Sequence, residues 1–366
     1  MILTMLLIGL SLLRGGTAYS EGYFSGWKTN FNKKSISLNE IQSGGPTKDG
    51  IPAIDHPRFL TPQGASSWLG SKEPVVLVEL KGEARAYPLQ ILIWHEIAND
   101  RIGGVPIAVT FCPLCYSAIV FDRRVGTQTV DFGVSGFLRK SDMVMYDRQT
   151  ESFWQQMTGE AMVGDLTGKI LKRIPSQIIS FEQFKRAYPK GKVLSRETGF
   201  QKAYGRNPYG GYDDIHKRPF LYPGPYDQRL PPMEKIVLVS INGKHKAYPY
   251  SLTKKLIVIN DTLAGKAIVL FHSPGALSAL DKSSIRESKE VGSTGVFEAK
   301  LNREKLEFLF SRGKIFDRKT GSQWDITGKA LSGPFKGKQL KPVFHGDYFA
   351  FAWFAFEPKT KIYTEK

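Results

Sequence analysis

The chain has 366 residues, 41% hydrophobic and 23% charged. It is long enough for two domains or one domain of two similar halves, and too apolar to be disordered. A formal charge of +17 is scattered, with no run of five or more basic residues and no basic helix interleaved with aromatics, which argues for a solvated basic surface and against nucleic-acid binding.

In chain order, residues 1–20 read as a signal peptide or an N-terminal anchor. Ile2 to Leu13 is apolar almost throughout, and Thr17-Ala18-Tyr19-Ser20 offers small residues for cleavage. About twelve apolar residues are few for a membrane span and suit a signal-peptide core. No Lys or Arg precedes them, and Arg14 follows instead. The expected location is periplasmic or extracellular, with membrane attachment only if the segment is retained.

Residues 21–43 are polar with isolated aromatics and read as a poorly ordered lead-in. From Gly44, glycine and proline punctuate short extended pieces. Pro74 to Leu80 and Ala84 to Tyr87 flank the turn Lys81-Gly82-Glu83, which predicts a hairpin. Leu89 to Ala98 has helical apolar spacing, with His95 and Glu96 near its end. Ile107 to Phe111 reads as a buried strand, and the only two cysteines, Cys112 and Cys115, follow in a C-x-x-C.

The order then repeats. Tyr87-Pro88 returns 161 positions later as Tyr248-Pro249, Asn99-Asp100 as Asn260-Asp261, and Ile107 to Ala118 as Ile268 to Ala279. At an offset of 170, Asp147-Arg148 and Trp154 meet Asp317-Arg318 and Trp324. Such a register predicts a tandem duplication. The expected fold is a β-rich α+β protein of two pseudo-symmetric halves packed together. A first repeat spans 44–190, a Tyr/Gly/Pro-rich connector 191–235 packs across the seam, and a degenerate repeat spans 236–358.

The second copy lacks the reactive groups of the first. His95 becomes Leu256, Glu96 becomes Ile257, Cys112 becomes Ser273 and Cys115 becomes Ala276. Residues common to both copies are candidates for structure, and the four lost together are candidates for one function. Two thiolates and an imidazole are three metal donors that leave a fourth position open. Soft sulfur favours Cu or Zn. Glu96 then serves as a supporting group or a general base. A second reading uses Cys112 and Cys115 as a thiol–disulfide redox pair without metal, and a third makes them a structural disulfide in a non-catalytic glycan- or peptide-binding module. Arg139, which has no evident counterpart, and Tyr209 and Tyr212 of the connector are candidate substrate-binding residues. No phosphate-cradling glycine loop and no G-x-S-x-G elbow occurs.

Several of these stretches, GGPTKDGIPAID, EARAYPLQIL-x-WHEIAND, VTFCPLCYSA-x-VFDR, FGVSG-x-LRKSD and YGRNPYGGY, resemble the family catalogued as domain of unknown function 3179. The resemblance covers about Gly44 to Pro358 and assigns no reaction. It implies that the His-Glu and C-P-x-C elements are family features and that the protein is exported. The resulting expectation is an exported protein with a Cys112/Cys115/His95 metal site and Glu96 beside it. A catalytic role for Glu96, Cys112 and Cys115, for example in an oxidoreductase, would act on a small-molecule or protein substrate.

Overall fold

The computed structural model describes residues 22–365, so the expected leader lies outside the described residues. No helix among the described residues is long and apolar enough to cross a membrane. Strand makes up 40% and helix 11%, so the site is positioned by hairpins rather than by helices.

Pro74–Leu80 and Glu83–Pro88 form the expected hairpin. Its turn residues, Lys81 and Gly82, both have positive φ, at 51° and 80°, the backbone hand that matches the twist of the flanking strands. Val75, Val76, Leu77 and Val78 are all buried, and each such side chain contributes about 1.5–3 kcal/mol by leaving water. Helix Leu89–His95 follows and stops sooner than its apolar spacing suggests. Glu96 takes a left-handed conformation at φ 58°, and the chain turns directly into strand Ile97–Ile102. That strand pairs with Val105–Cys112, which pairs in turn with Ser117–Asp122.

Two of the sheets share an order over four strands. Gln177–Ser180, Pro74–Leu80, Glu83–Pro88 and Lys192–Leu194 are neighbours in one sheet, and His345–Phe349, Lys235–Ile241, Lys244–Pro249 and Lys361–Ile362 in another. In both, the last two of these four strands pair in parallel, and the first sheet adds Phe59–Leu60, antiparallel to Lys192–Leu194. The cores interlock. Helix Ala350–Phe354 packs into the cluster that contains Phe111, Cys112 and Tyr116, while Phe181 and Phe184 of helix Phe181–Ala187 join Phe271 and Trp324 of the other half.

Residues shared by the halves do the same structural work. Trp154 Nε1 donates to Asp147 Oδ2 at 2.9 Å, and Trp324 Nε1 donates to Asp317 Oδ2 at 3.0 Å. Asn99 and Asn260 each bridge to the backbone of a facing strand, at Phe132 and Phe308.

Residues 22–43, read from sequence as a poorly ordered lead-in, are packed. Phe24, Trp27, Phe31 and Leu38 lie against Phe153 and Tyr146, and Gln42–Ser43 pairs with strand Phe132–Arg139. The isolated aromatics of that stretch are the residues that seat it. The connector also packs across the seam. Asn207 N donates to Ser283 O and Gly211 N to Asp281 O on one side, and Tyr212 Oη donates to Leu114 O on the other.

Candidate metal centre

Strand Val105–Cys112 ends at Cys112. Pro113 opens a single 3-10 turn, Pro113–Cys115, which closes when Tyr116 adopts a left-handed conformation at φ 53°. Cys112 pairs with Ser117 across this tight return, so both sulfurs sit at one end of the hairpin. They are free thiols, not a disulfide, and they are fully buried.

A second hairpin meets them. Strands Phe132–Arg139 and Asp142–Asp147 are joined by Lys140 and Ser141, both at positive φ (54° and 68°). The turn brings the Ser141 carbonyl to 3.4 Å from Cys115 Sγ and 4.0 Å from Cys112 Sγ. It also delivers Asp142. One donor atom each from Cys112, Cys115 and Asp142 lie within 4.8 Å of one another. Asp142 Oδ2 accepts from Gln155 Nε2 at 2.6 Å and from Met157 N at 2.8 Å. Oδ1, buried as well, has no N–H or O–H donor. A carboxylate whose Oδ2 is held by two donors, in reach of two sulfurs, fits a metal ligand.

Glu96 is the second buried carboxyl, and its acidity is linked to that of Asp142. Burial, then the charge of Asp142, pushes Glu96 up to about 8. Burial pushes Asp142 up to about 7 against the opposing hydrogen bonds from Gln155, Met157 and the Cys115 thiol. Burial likewise raises Cys112 and raises Cys115 well above the usual thiol range. The metal-free pocket therefore favours protonated, neutral groups, and a cation entering it displaces protons.

His95 is not among these donors. Its Nδ1 lies 2.7 Å from Pro52 O and its Nε2 2.6 Å from Tyr204 Oη, with the Phe200 and Tyr204 rings against it. Because a carbonyl faces Nδ1, that nitrogen carries the proton and Nε2 accepts from the tyrosine. Both ring nitrogens are committed, and burial lowers the imidazole's basicity. The group that clusters with the two cysteines is therefore Asp142, not the expected His95. The left-handed residue at Glu96 sends two sequence neighbours in different directions.

Arg139 does not offer a free guanidinium. It holds Glu40 of the lead-in, at 2.9 and 2.6 Å, and reaches Gln155 at 3.4 Å. Tyr209 and Tyr212 roof the centre. Burial raises both phenols, and Tyr209 feels the charges of Glu96 and Cys112, Tyr212 those of both cysteines. Tyr212 Oη donates to Leu114 O at 3.1 Å and accepts from Phe220 N at 3.2 Å, while Ser141 Oγ donates to Phe220 O at 2.6 Å. The connector is therefore clasped to both hairpins that supply the donors.

Asp142 escaped the sequence reading as a ligand. At the offset of 170 that pairs Asp147 with Asp317, Asp142 falls on Arg312, within the turn of a shorter hairpin, Ser311 to Lys314, so residue types alone did not mark it.

No curated protein and no solved structure matches the chain. A family model described as protein of unknown function (DUF3179) matches residues 48–360, most of the chain. The chain belongs to the DUF3179 family.

Proposed function

We propose that this is an exported metal-binding protein whose centre is formed by Cys112, Cys115 and Asp142, with Glu96 beside it. The observation that carries the reading is that a carboxylate oxygen of Asp142, whose buried Oδ1 accepts no N–H or O–H, and two free sulfurs lie within 4.8 Å of one another. Two thiolates and one carboxylate suit Zn(II), since Cu(I) prefers sulfur alone. Zinc held by these residues would supply Lewis acidity, which would favour metal-assisted chemistry over electron transfer. Glu96, one residue beyond the helix end, then completes the coordination or holds a proton for a bound substrate.

Thiol–disulfide exchange is the weaker reading. It needs an accessible thiolate of lowered pKa, whereas both thiols are buried and shifted upward. We also read the chain as a tandem duplication with a degenerate second half. This rests on the shared sheet order and on the paired Trp–Asp hydrogen bonds. Export rests on the apolar start of the sequence.

The test is elemental analysis of protein purified without oxygen or chelators. One zinc per chain, lost in Cys112→Ser and Asp142→Asn but kept in His95→Ala, supports the centre. Metal-free protein that takes up no added zinc, or zinc retained in Asp142→Asn, sinks it.

A further inference from the structure

The second half holds an open cleft where the first half holds its donors. Its volume is about 520 Å³, within the range of small-molecule pockets. It lies between helix Phe181–Ala187 and the hairpin formed by Phe308–Ser311 and Lys314–Asp317. The corresponding hairpin of the first half is longer, with strands Phe132–Arg139 and Asp142–Asp147. Shortening leaves the second space uncovered, and Ser273 and Ile257, which stand in for Cys112 and Glu96, line it.

The chemistry of the lining is inverted as well. Trp324, Ile315 and Ile326 are its buried apolar residues, and Phe310 and Leu331, 46% and 44% exposed, flank the opening. Large apolar side chains left in water at a cleft mark a contact surface. Lys314 and Lys329 also line it, and neither is among the ion pairs of the described residues. The acid on the same wall, Asp325, takes Thr327 N, Thr327 Oγ1 and Lys329 N on Oδ1 and feels the Lys329 charge without forming an ion pair with it. Arg186 is at the rim but paired with Glu182. Where the first half gathers an acid and two thiols, the second presents two lysines outside any ion pair of the described residues over an apolar bed.

We infer that this cleft binds a small organic anion with an apolar body, an aryl or medium-chain acyl carboxylate, with Lys314 and Lys329 on the carboxylate and Phe310 and Leu331 on the body. Neither the bed nor the lysines suffice alone. An inorganic anion leaves the apolar wall in water, and a neutral apolar molecule leaves the lysines unpaired.

Titration calorimetry of the full chain with octanoate, octanol and inorganic phosphate tests this directly. Octanoate is expected to bind one per chain, at least about tenfold tighter than octanol or phosphate. Lys314→Glu with Lys329→Glu is expected to weaken octanoate at least about tenfold and to leave octanol unchanged. Phe310→Ala is expected to weaken both. Thermal unfolding verifies that each variant is folded, and Lys314→Gln gives a milder version if the double reversal is not. Equal affinity for octanol and octanoate, octanoate binding unaffected by the lysine changes, or no saturable binding overturns the proposal.

Discussion

Cys115 Sγ lies 3.4 Å from the carbonyl oxygen of Ser141, and that carbonyl is oriented by a turn built without glycine. Lys140 and Ser141 both have positive φ, whereas the matching turn in the second half uses Arg312 and Gly313. A left-handed non-glycine residue costs roughly 1–2 kcal/mol, and such strain gathers at functional sites. Ser141 also donates to Phe220 O. Ser141→Ala loses that bond and keeps the strain, while Ser141→Gly loses the bond and relaxes the strain. Chemical denaturation should therefore find Ser141→Gly more stable than Ser141→Ala by about 1 kcal/mol. Equal stabilities would mean that the turn stores nothing.

Asp142→Asn tests the donor role with little change in shape. The remaining side-chain oxygen keeps the acceptor position used by Gln155 and Met157, and an amide nitrogen meets the sulfurs. Zinc affinity, measured by competition with a chromogenic chelator, should fall by more than the roughly 10–100-fold typical of losing a supporting group. Glu96→Gln should fall within that range. The reverse ranking would make Glu96 the ligand and Asp142 its support.

The same two carboxyls, together with Asp347, which burial raises to about 6, contribute a pH dependence of stability in metal-free protein. Their ordinary values are 3.8 for Asp142 and 4.5 for Glu96, and the fold raises them to about 7 and about 8. A raised carboxyl favours the protonated folded state. Its contribution is full below the ordinary value and lost as pH rises through the folded one. Stability should therefore decline between those limits by up to about 1.4 kcal/mol per pH unit for each group. Asp142→Asn and Glu96→Gln should flatten the decline. Added zinc should reverse the trend, since metal binding releases protons and tightens as pH rises. A flat profile in the unsubstituted metal-free protein would contradict the buried, unpaired state of both acids.

How much of this was legible in the sequence varies by residue. Cys112, Cys115 and Glu96 stood out because their counterparts are Ser273, Ala276 and Ile257, a loss visible in residue types. Asp142 was not legible that way, because its role depends on where a lengthened hairpin ends and on the strand pairing that fixes it. Arg139 also lacked a counterpart, but its charge is committed to Glu40, 99 positions away, a pairing no local pattern reveals. Strands, turns and the connector's place followed from β-branched runs, glycines and aromatics. The packing of the lead-in did not, because single aromatics such as Phe24 and Trp27 show no period until the sheet beneath them is known.

His95 separates adjacency in sequence from adjacency in space. Its imidazole bridges Pro52 O and Tyr204 Oη, and so ties the helix end to the connector. His95→Ala should cost about 2–4 kcal/mol of stability, because it empties a buried site and strips two hydrogen bonds. Zinc affinity should stay within about threefold of the parent, less than the roughly tenfold step of losing a supporting group. Loss of zinc from a variant that still unfolds cooperatively would return the imidazole to the centre.

The interlocked cores predict that the halves unfold together. Asp147 accepts from Thr150 and Trp154, and Asp317 accepts from Thr320 and Trp324 in the same pattern. Replacing either aspartate with alanine leaves a buried indole N–H without a partner, at a cost of about 1–3 kcal/mol. If each half were a separate unit, Asp147→Ala would shift one transition and Asp317→Ala another. Phe181 and Phe184 of the first half pack with Trp324, however, and Trp353 of the second packs in the first half's cluster, so neither core is complete alone. Urea unfolding followed by tryptophan fluorescence and circular dichroism should give one coincident transition in both variants. The two shifts should be of similar size and additive within about 0.5 kcal/mol in the double variant, as distant sites in one cooperative unit are. Two resolved transitions, each moved by only one substitution, would mean that the halves fold independently despite the exchanged helices.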